Sequence, residues 1–305
     1  MSDTAEKPIS SNRFLITAAW IIMLVVSILP NALLHELAGD VPAWLGWAKI
    51  GLLAGLAVVT LFWQALRPLR NFILLLLAIF GFEMVVGRLT GSALWQGWFG
   101  GADAPFTSSM LGAQLGRLIV SLLMIGALLL LGYRRTDFFL MRGQLDAPSA
   151  PERWLGISKS EPWTKFGGQF ALYISLGTLL FLILGGRPTP AALLGALPAL
   201  PAALLFAAMN AFSEEITYRA SLLAGLEHVI GPQRALWLTA VFFGLGHYFG
   251  VPYGVIGVLL ASFLGWMMGK AMLETRGFFW AWFIHFLQDV LIFSFMAIGS
   301  ITPGG

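Results

Sequence analysis

The chain has 305 residues, of which 58% are hydrophobic and 11% charged, with a mean hydropathy of +0.82 and a net charge of +3. A soluble domain carries about a quarter of charged residues, so this composition excludes an ordinary water-soluble globule and predicts a bilayer-embedded one. The lack of cysteine excludes disulfides, thiolate metal centres and a cysteine nucleophile. The few basic residues fall in loops, where they act as topology signals and not as a nucleic-acid surface.

The first thirteen residues are polar, with Lys7 and Arg13 set against Asp3 and Glu6. The apolar stretch that follows has no small-residue cleavage site and is expected to be a retained span, not a cleaved signal. Further apolar runs predict spans near 14–34, 44–66, 71–88, 117–133, 169–185, 198–226, 233–248, 252–273 and 277–299. The expected fold is therefore all-α, a polytopic transmembrane bundle of about 8–9 spans. Segment 91–116 is too mixed to cross and predicts a loop with a short interfacial helix. The polar insert 134–168 separates an N-terminal four-span region (1–165), which carries no assignable motif, from a C-terminal region (166–305).

Loop charges orient the chain. With the N-terminus in the cytoplasm, that side holds Lys7, Arg13, Arg67, Arg70, Arg134, Arg135, Arg142, Arg153, Lys159, Lys165, Arg234, Lys270 and Arg276. The other side holds only Arg88, Arg117 and Arg187, with Lys49 a little inside the second span. The positive-inside rule then gives an N-in, C-out topology. Trp44, Trp47, Trp63, Trp154, Trp163 and Trp280 fall near span ends, as an aromatic belt would.

An ionised side chain deep in a bilayer costs roughly 2.5–3.5 kcal/mol or more, so charges inside spans are informative. The sixth span carries Glu214, Glu215 and Arg219. Glu215 and Arg219 stand at i, i+4 and share a face, whereas Glu214 is rotated by about 100° and is left for another partner. A purely structural salt bridge would need one glutamate. The seventh span ends on His247, and the ninth places His285 and Asp289 at i, i+4, where a carboxylate can orient an imidazole. Counted at about 1.5 Å per residue from the predicted cytoplasmic ends, Glu214, His247, His285 and Asp289 lie roughly 18, 21, 12 and 18 Å deep. Three helices thus deliver acids and imidazoles to one level of a core about 30 Å thick.

A carboxylate and an imidazole at a wettable buried site can activate water, and further donors can stabilise the oxyanion formed on a carbonyl. Other hydrolase chemistries lack their residues. His35-Glu36 has no second histidine and lies outside the predicted spans, no G-x-S-x-G occurs, and Asp289 is the one aspartate inside a predicted span. The G-x-x-x-G at Gly265 to Gly269 suits helix packing.

The ordered set Glu214-Glu215-x-x-x-Arg219, Phe243-x-x-x-His247 and His285-x-x-x-Asp289 resembles the three signature motifs of the CPBP family. These are the CaaX proteases and the bacteriocin-processing or self-immunity proteins, also called Abi proteins. The resemblance covers roughly 165–300. It implies an intramembrane endopeptidase in which Glu214 and His247 activate water. His285 and the residue four later would stabilise the oxyanion, and Glu215 with Arg219 would support the site. That last position is often Asn in the eukaryotic enzymes; here it is Asp289, which cannot donate when ionised but can orient His285. The implied partners are the lipid bilayer and a membrane-associated peptide or protein substrate, in a bacterial inner membrane. No cofactor is implied. Glu214, Glu215, His247 and His285 could in principle ligate zinc, and a non-catalytic scaffold or transporter could use the same cluster.

Overall fold

The computed structural model describes residues 13–101 and 104–301, so Asp3, Glu6 and Lys7 lie outside the described residues. The first helices are α1 (Arg13–Val26), α2 (Leu29–Ala38), α3 (Trp44–Phe62), α4 (Arg70–Thr90), α5 (Ala93–Phe99) and α6 (Phe106–Leu130). After the polar insert come α7 (Trp163–Gly186), α8 (Pro190–Ala196), α9 (Leu200–Glu214), α10 (Ser221–Ile230), α11 (Pro232–Leu245), α12 (Val255–Thr275) and α13 (Phe279–Ile301). Between α9 and α10, Glu215–Ala220 winds as a π-helix. Among the described residues there is no strand, only two isolated bridges within the insert. The molecule is an all-α, multi-pass membrane bundle.

Among the described residues seven helices are long and apolar enough to cross a membrane, or eight with the bent pair α1–α2, against the 8–9 spans expected. Two differences have clear causes. The first expected span breaks by 48° between α1 and α2, because Pro30 has no N–H to continue the ladder. Beside the break, buried Lys49 donates to the Ser27 carbonyl and to Asn31 Oδ1, each at 2.5 Å. The expected span 233–248 is a 14-residue helix, α11. At about 1.5 Å per residue it is some 21 Å long, short of the bilayer core.

The fourth span also starts earlier than its apolar run. α6 begins at Phe106, so Arg117 lies well inside the helix and not at its outer end. Thr107, Ser108, Ser109 and Gly112 are too polar or small to count as membrane sequence, but Gly112 lets Phe99 of α5 close against α6. The belt reading fails for Trp163 and Trp280, which are 0% and 7% exposed. Both are packed inside and donate from Nε1, to Glu274 Oε2 at 2.8 Å and to the Leu145 carbonyl at 2.9 Å. Trp44, Trp47 and Trp63 are exposed, as a belt requires.

One buried cluster runs from Leu15 to Ile284 and takes residues from both sequence regions. The insert fastens one end of the bundle. Asn71 at the start of α4 donates to Tyr133 past the end of α6 at 3.1 Å. Lys270 reaches Glu152 of the insert at 2.6 Å. Gly143 (φ +77°) meets Gly277 backbone to backbone, where a Cβ would stand 2.6 Å from the Gly277 Cα.

Gly265 and Gly269 place α12 against α11, with Ala240, Phe243 and Leu236 at the contact. Gly244 closes the same interface from α11. A Cβ there would stand 2.6 Å from the Val258 carbonyl oxygen, whereas one on Gly126 of α6 would meet nothing within 4 Å. Overpacking of this kind costs about 1–3 kcal/mol. Thermal unfolding in detergent is therefore expected to show a lowered midpoint for Gly244→Ala and an unchanged or raised one for Gly126→Ala.

Candidate active site

The motif Glu214-Glu215-x-x-x-Arg219 falls at the junction of α9 and the π-helical turn, a form that recurs at functional sites. Glu215 and Arg219 are fully buried and ion-paired through Oε1 and Nη1. The same Oε1 accepts the Nδ1–H of His285 from α13 at 2.8 Å. Arg219 also donates from Nε to the Gly265 carbonyl at 3.2 Å, and its guanidinium lies 4.5 Å over the Phe243 ring.

Glu214 points elsewhere, as its rotation about the helix predicts. Its side chain is 16% exposed and lines a cavity of about 510 Å³. Glu214 Oε1 lies 3.5 Å from Arg117 Nη1, and Oε2 lies 3.7 Å from His285 Nε2. Asp289 Oδ2 stands 3.6 Å from the same His285 nitrogen and accepts from Asn210 Nδ2 at 2.9 Å. Asn210 Oδ1 in turn accepts from Arg117. Glu214, Glu215, Arg219, His285 and Asp289 thus join one network.

His247 stands apart from it. It follows the end of α11, is half-buried, and lies with its ring 4.6 Å from the Phe243 ring, which is itself 6.0 Å from the His285 ring. Among the described residues no hydrogen bond or ion pair joins His247 to Glu214. His247 Nδ1 is 2.9 Å from the Phe243 carbonyl. A carbonyl only accepts, so in the neutral ring the proton sits on Nδ1 and Nε2 keeps its lone pair. The loop after His247 is tied to α2, where Glu36 accepts from Tyr248 at 3.0 Å and Tyr253 at 2.5 Å. The bond to Glu36 pushes the Tyr253 phenol up to about 12. Residues His35 and Glu36, expected outside a span, are thus on helix α2 and support the loop.

The cavity wall includes residues that the sequence patterns did not single out. Glu83 of α4 accepts a hydrogen bond from Tyr218, and both line the cavity with Arg117 and Glu214. Glu83 interrupts an apolar run much as Glu214 does, and that was its available signal. Arg117 was hidden by the misplaced start of its helix, and Asn210 carries no charge to stand out.

Among the described residues no three His, Cys, Asp or Glu side chains are grouped to hold a metal ion. Of the four zinc candidates, Glu215 is already engaged by Arg219 and His285.

Acids and an imidazole gathered at a cavity inside apolar helices form the kind of site that an intramembrane hydrolase uses. Residues 196–291, about a third of the chain, match the family model described as Type II CAAX prenyl endopeptidase Rce1-like. That match is consistent with a CPBP family intramembrane protease and includes all seven motif residues. Glu83 and Arg117 lie outside it. No curated protein and no solved structure matches the chain.

Breaking a buried pair leaves its partner uncompensated and costs about 3–5 kcal/mol. Glu215→Ala is therefore expected to lower stability in detergent by that order, while Glu214→Ala, which borders the cavity, leaves the unfolding midpoint close to that of the parent. Equal losses in both variants would contradict the separation of roles between the two acids.

Proposed function

We propose that this protein is a glutamate-dependent intramembrane endopeptidase of the CPBP type. It hydrolyses a peptide bond of a membrane-associated peptide or protein, in a bacterial inner membrane with the N-terminus cytoplasmic. The observation that carries the reading is Glu214. It is the acid of the three-motif network that lines the cavity, while Glu215 is locked to Arg219 and His285.

In the proposed reaction Glu214 takes a proton from water as the oxygen attacks the scissile carbonyl carbon. His247, through Nε2, is the second proton acceptor and returns a proton to the departing amine. The tetrahedral oxyanion is met by the donors that flank Glu214: the Arg117 guanidinium near Oε1 and, in its protonated form, His285 Nε2 near Oε2. Glu215 orients the His285 ring through Nδ1, and Asp289 flanks the other nitrogen. No covalent enzyme intermediate is needed, in keeping with a chain that has no cysteine and no serine in a nucleophile motif.

General acid–base groups contribute about 10²–10⁴-fold in rate. Glu214→Ala and His247→Ala are each expected to lower cleavage by at least two orders of magnitude without unfolding the protein. The readout is a comparison of membrane proteomes from cells expressing the parent or Glu214→Ala, searching for a peptide that stays uncut in the variant. Persistence of cleavage in both variants would refute the mechanism. Elemental analysis of active protein is expected to find no stoichiometric zinc, and finding it would favour a metal-assisted route. Loss of a cellular phenotype in Glu214→Ala without any cleaved product would instead favour a scaffold or transporter.

A further inference from the structure

The cavity that Glu214 faces has a direction. Its lining comes from the second half of α4 (Glu83 to Gly91), from α5, from the first half of α6 (Ser109 to Val120) and from Ser213 to Tyr218. Nothing in it comes from the first half of α4 or the last ten residues of α6. Glu83 stands thirteen residues beyond Arg70, about 20 Å along the helix at 1.5 Å per residue. The cavity therefore begins at the level of the acid network and runs to the end of the bundle that carries α5.

The opposite end of the bundle is the basic one. Arg67 precedes α4 and Arg70 opens it, and Asn71 beside them bonds Tyr133, next to Arg134 and Arg135. Arg142 adjoins Gly143, which meets Gly277 in the α12–α13 turn. Arg276 of that turn pairs with Glu227 near the end of α10 at 2.5 Å, and Lys270 holds Glu152 beside Arg153. The end with α5 has Arg88 near the end of α4. By the positive-inside rule the basic end is cytoplasmic.

We propose that the site is loaded from the non-cytoplasmic side. Its substrate is an extended peptide segment that reaches the outer leaflet or arrives from outside the cytoplasm, passes α5 and lies between α4 and α6. This excludes a C-terminal tail offered from the cytosol. The protease reading supplies the occupant; the side of entry stands on the cavity and the charges alone. The walls suit a peptide, with Trp95, Phe99, Val86 and Val120 as apolar surface and Gln96 and Ser109 as polar groups. Gly87 leaves room for it, since a Cβ there would meet nothing within 4 Å.

A chain without cysteine allows a direct test. Gln96→Cys and Ser109→Cys near the mouth, and Lys159→Cys in the insert as reference, are each exposed to a membrane-impermeant maleimide in right-side-out and in inverted vesicles. The expected result is labelling of positions 96 and 109 in right-side-out vesicles and of position 159 in inverted ones. Labelling of 96 and 109 only in inverted vesicles, on neither side, or on the same side as 159 would overturn the proposal. A second arm uses Gly87→Trp, which grows into the cavity. It is expected to keep the parent unfolding midpoint and lose at least tenfold in cleavage of the substrate found above. Normal cleavage by Gly87→Trp would remove the cavity as the substrate path. The labelling arm needs no cleavage, so failure of the protease reading and failure of the entry side give different results.

Discussion

The fully buried pair between Glu215 and Arg219 is the interaction on which the arrangement of the C-terminal helices depends. Each ion taken from water costs several kcal/mol, and mutual attraction repays this only when the remaining donors and acceptors are met. Here several are met from other helices, while Glu215 Oε2 and Arg219 Nη2 have no hydrogen-bond partner among the described residues. Gly265 of α12 gives its carbonyl, Phe243 of α11 gives a ring face, and His285 of α13 gives an N–H. Gly265 and Gly269 have no side chains, so α12 approaches both α11 and the arginine stem. A charge pair that would be a liability in lipid thereby fixes four segments relative to one another. Their positions set where His285 and Glu214 stand.

Two adjacent glutamates then do different things because adjacent helical positions point about 100° apart. One closes the ion pair, and the other faces the cavity. The wall opposite that second acid comes from the N-terminal region. Arg117 reaches Glu214 and Asn210 from α6, and Glu83 of α4 takes the Tyr218 hydroxyl. The segment that matches the family model begins after both residues, so it holds the motifs without enclosing them. The N-terminal helices thus supply part of the cavity wall that Glu214 faces.

Much of this was legible in the sequence, for a simple reason: in an apolar helix every charge needs a partner. Glu214, Glu215, Arg219, His285 and Asp289 declared themselves that way, and the structure joins them in one network. What stayed hidden was polar or small without being anomalous. Asn210 carries no charge. The polar start of α6 looked like a loop, so Arg117 was placed at the outer end of its span when it lies well inside a helix that lines a cavity. The break at Pro30 and the shortness of α11 were masked because hydropathy measures apolar length and not helix continuity. Trp163 and Trp280 looked like interfacial anchors, yet both sit inside contacts made by the insert, and hydropathy cannot foresee those contacts.

Asp289 illustrates how a departure from a motif can be absorbed nearby. In the eukaryotic enzymes that the motifs resemble, an amide is common at this position, and an amide can donate to an oxyanion. Here the position holds an acid, and the amide is on α9: Asn210, one turn before Glu214, donates to Asp289. Asn210 is in turn held by Arg117, whose guanidinium also lies 3.5 Å from Glu214. An acceptor at 289 thus has both a donor to satisfy it and the His285 imidazole 3.6 Å away to orient. On the proposed mechanism, oxyanion donation passes from residue 289 to Arg117 and His285, which lie on either side of Glu214. The acid then serves the imidazole and need not touch the substrate.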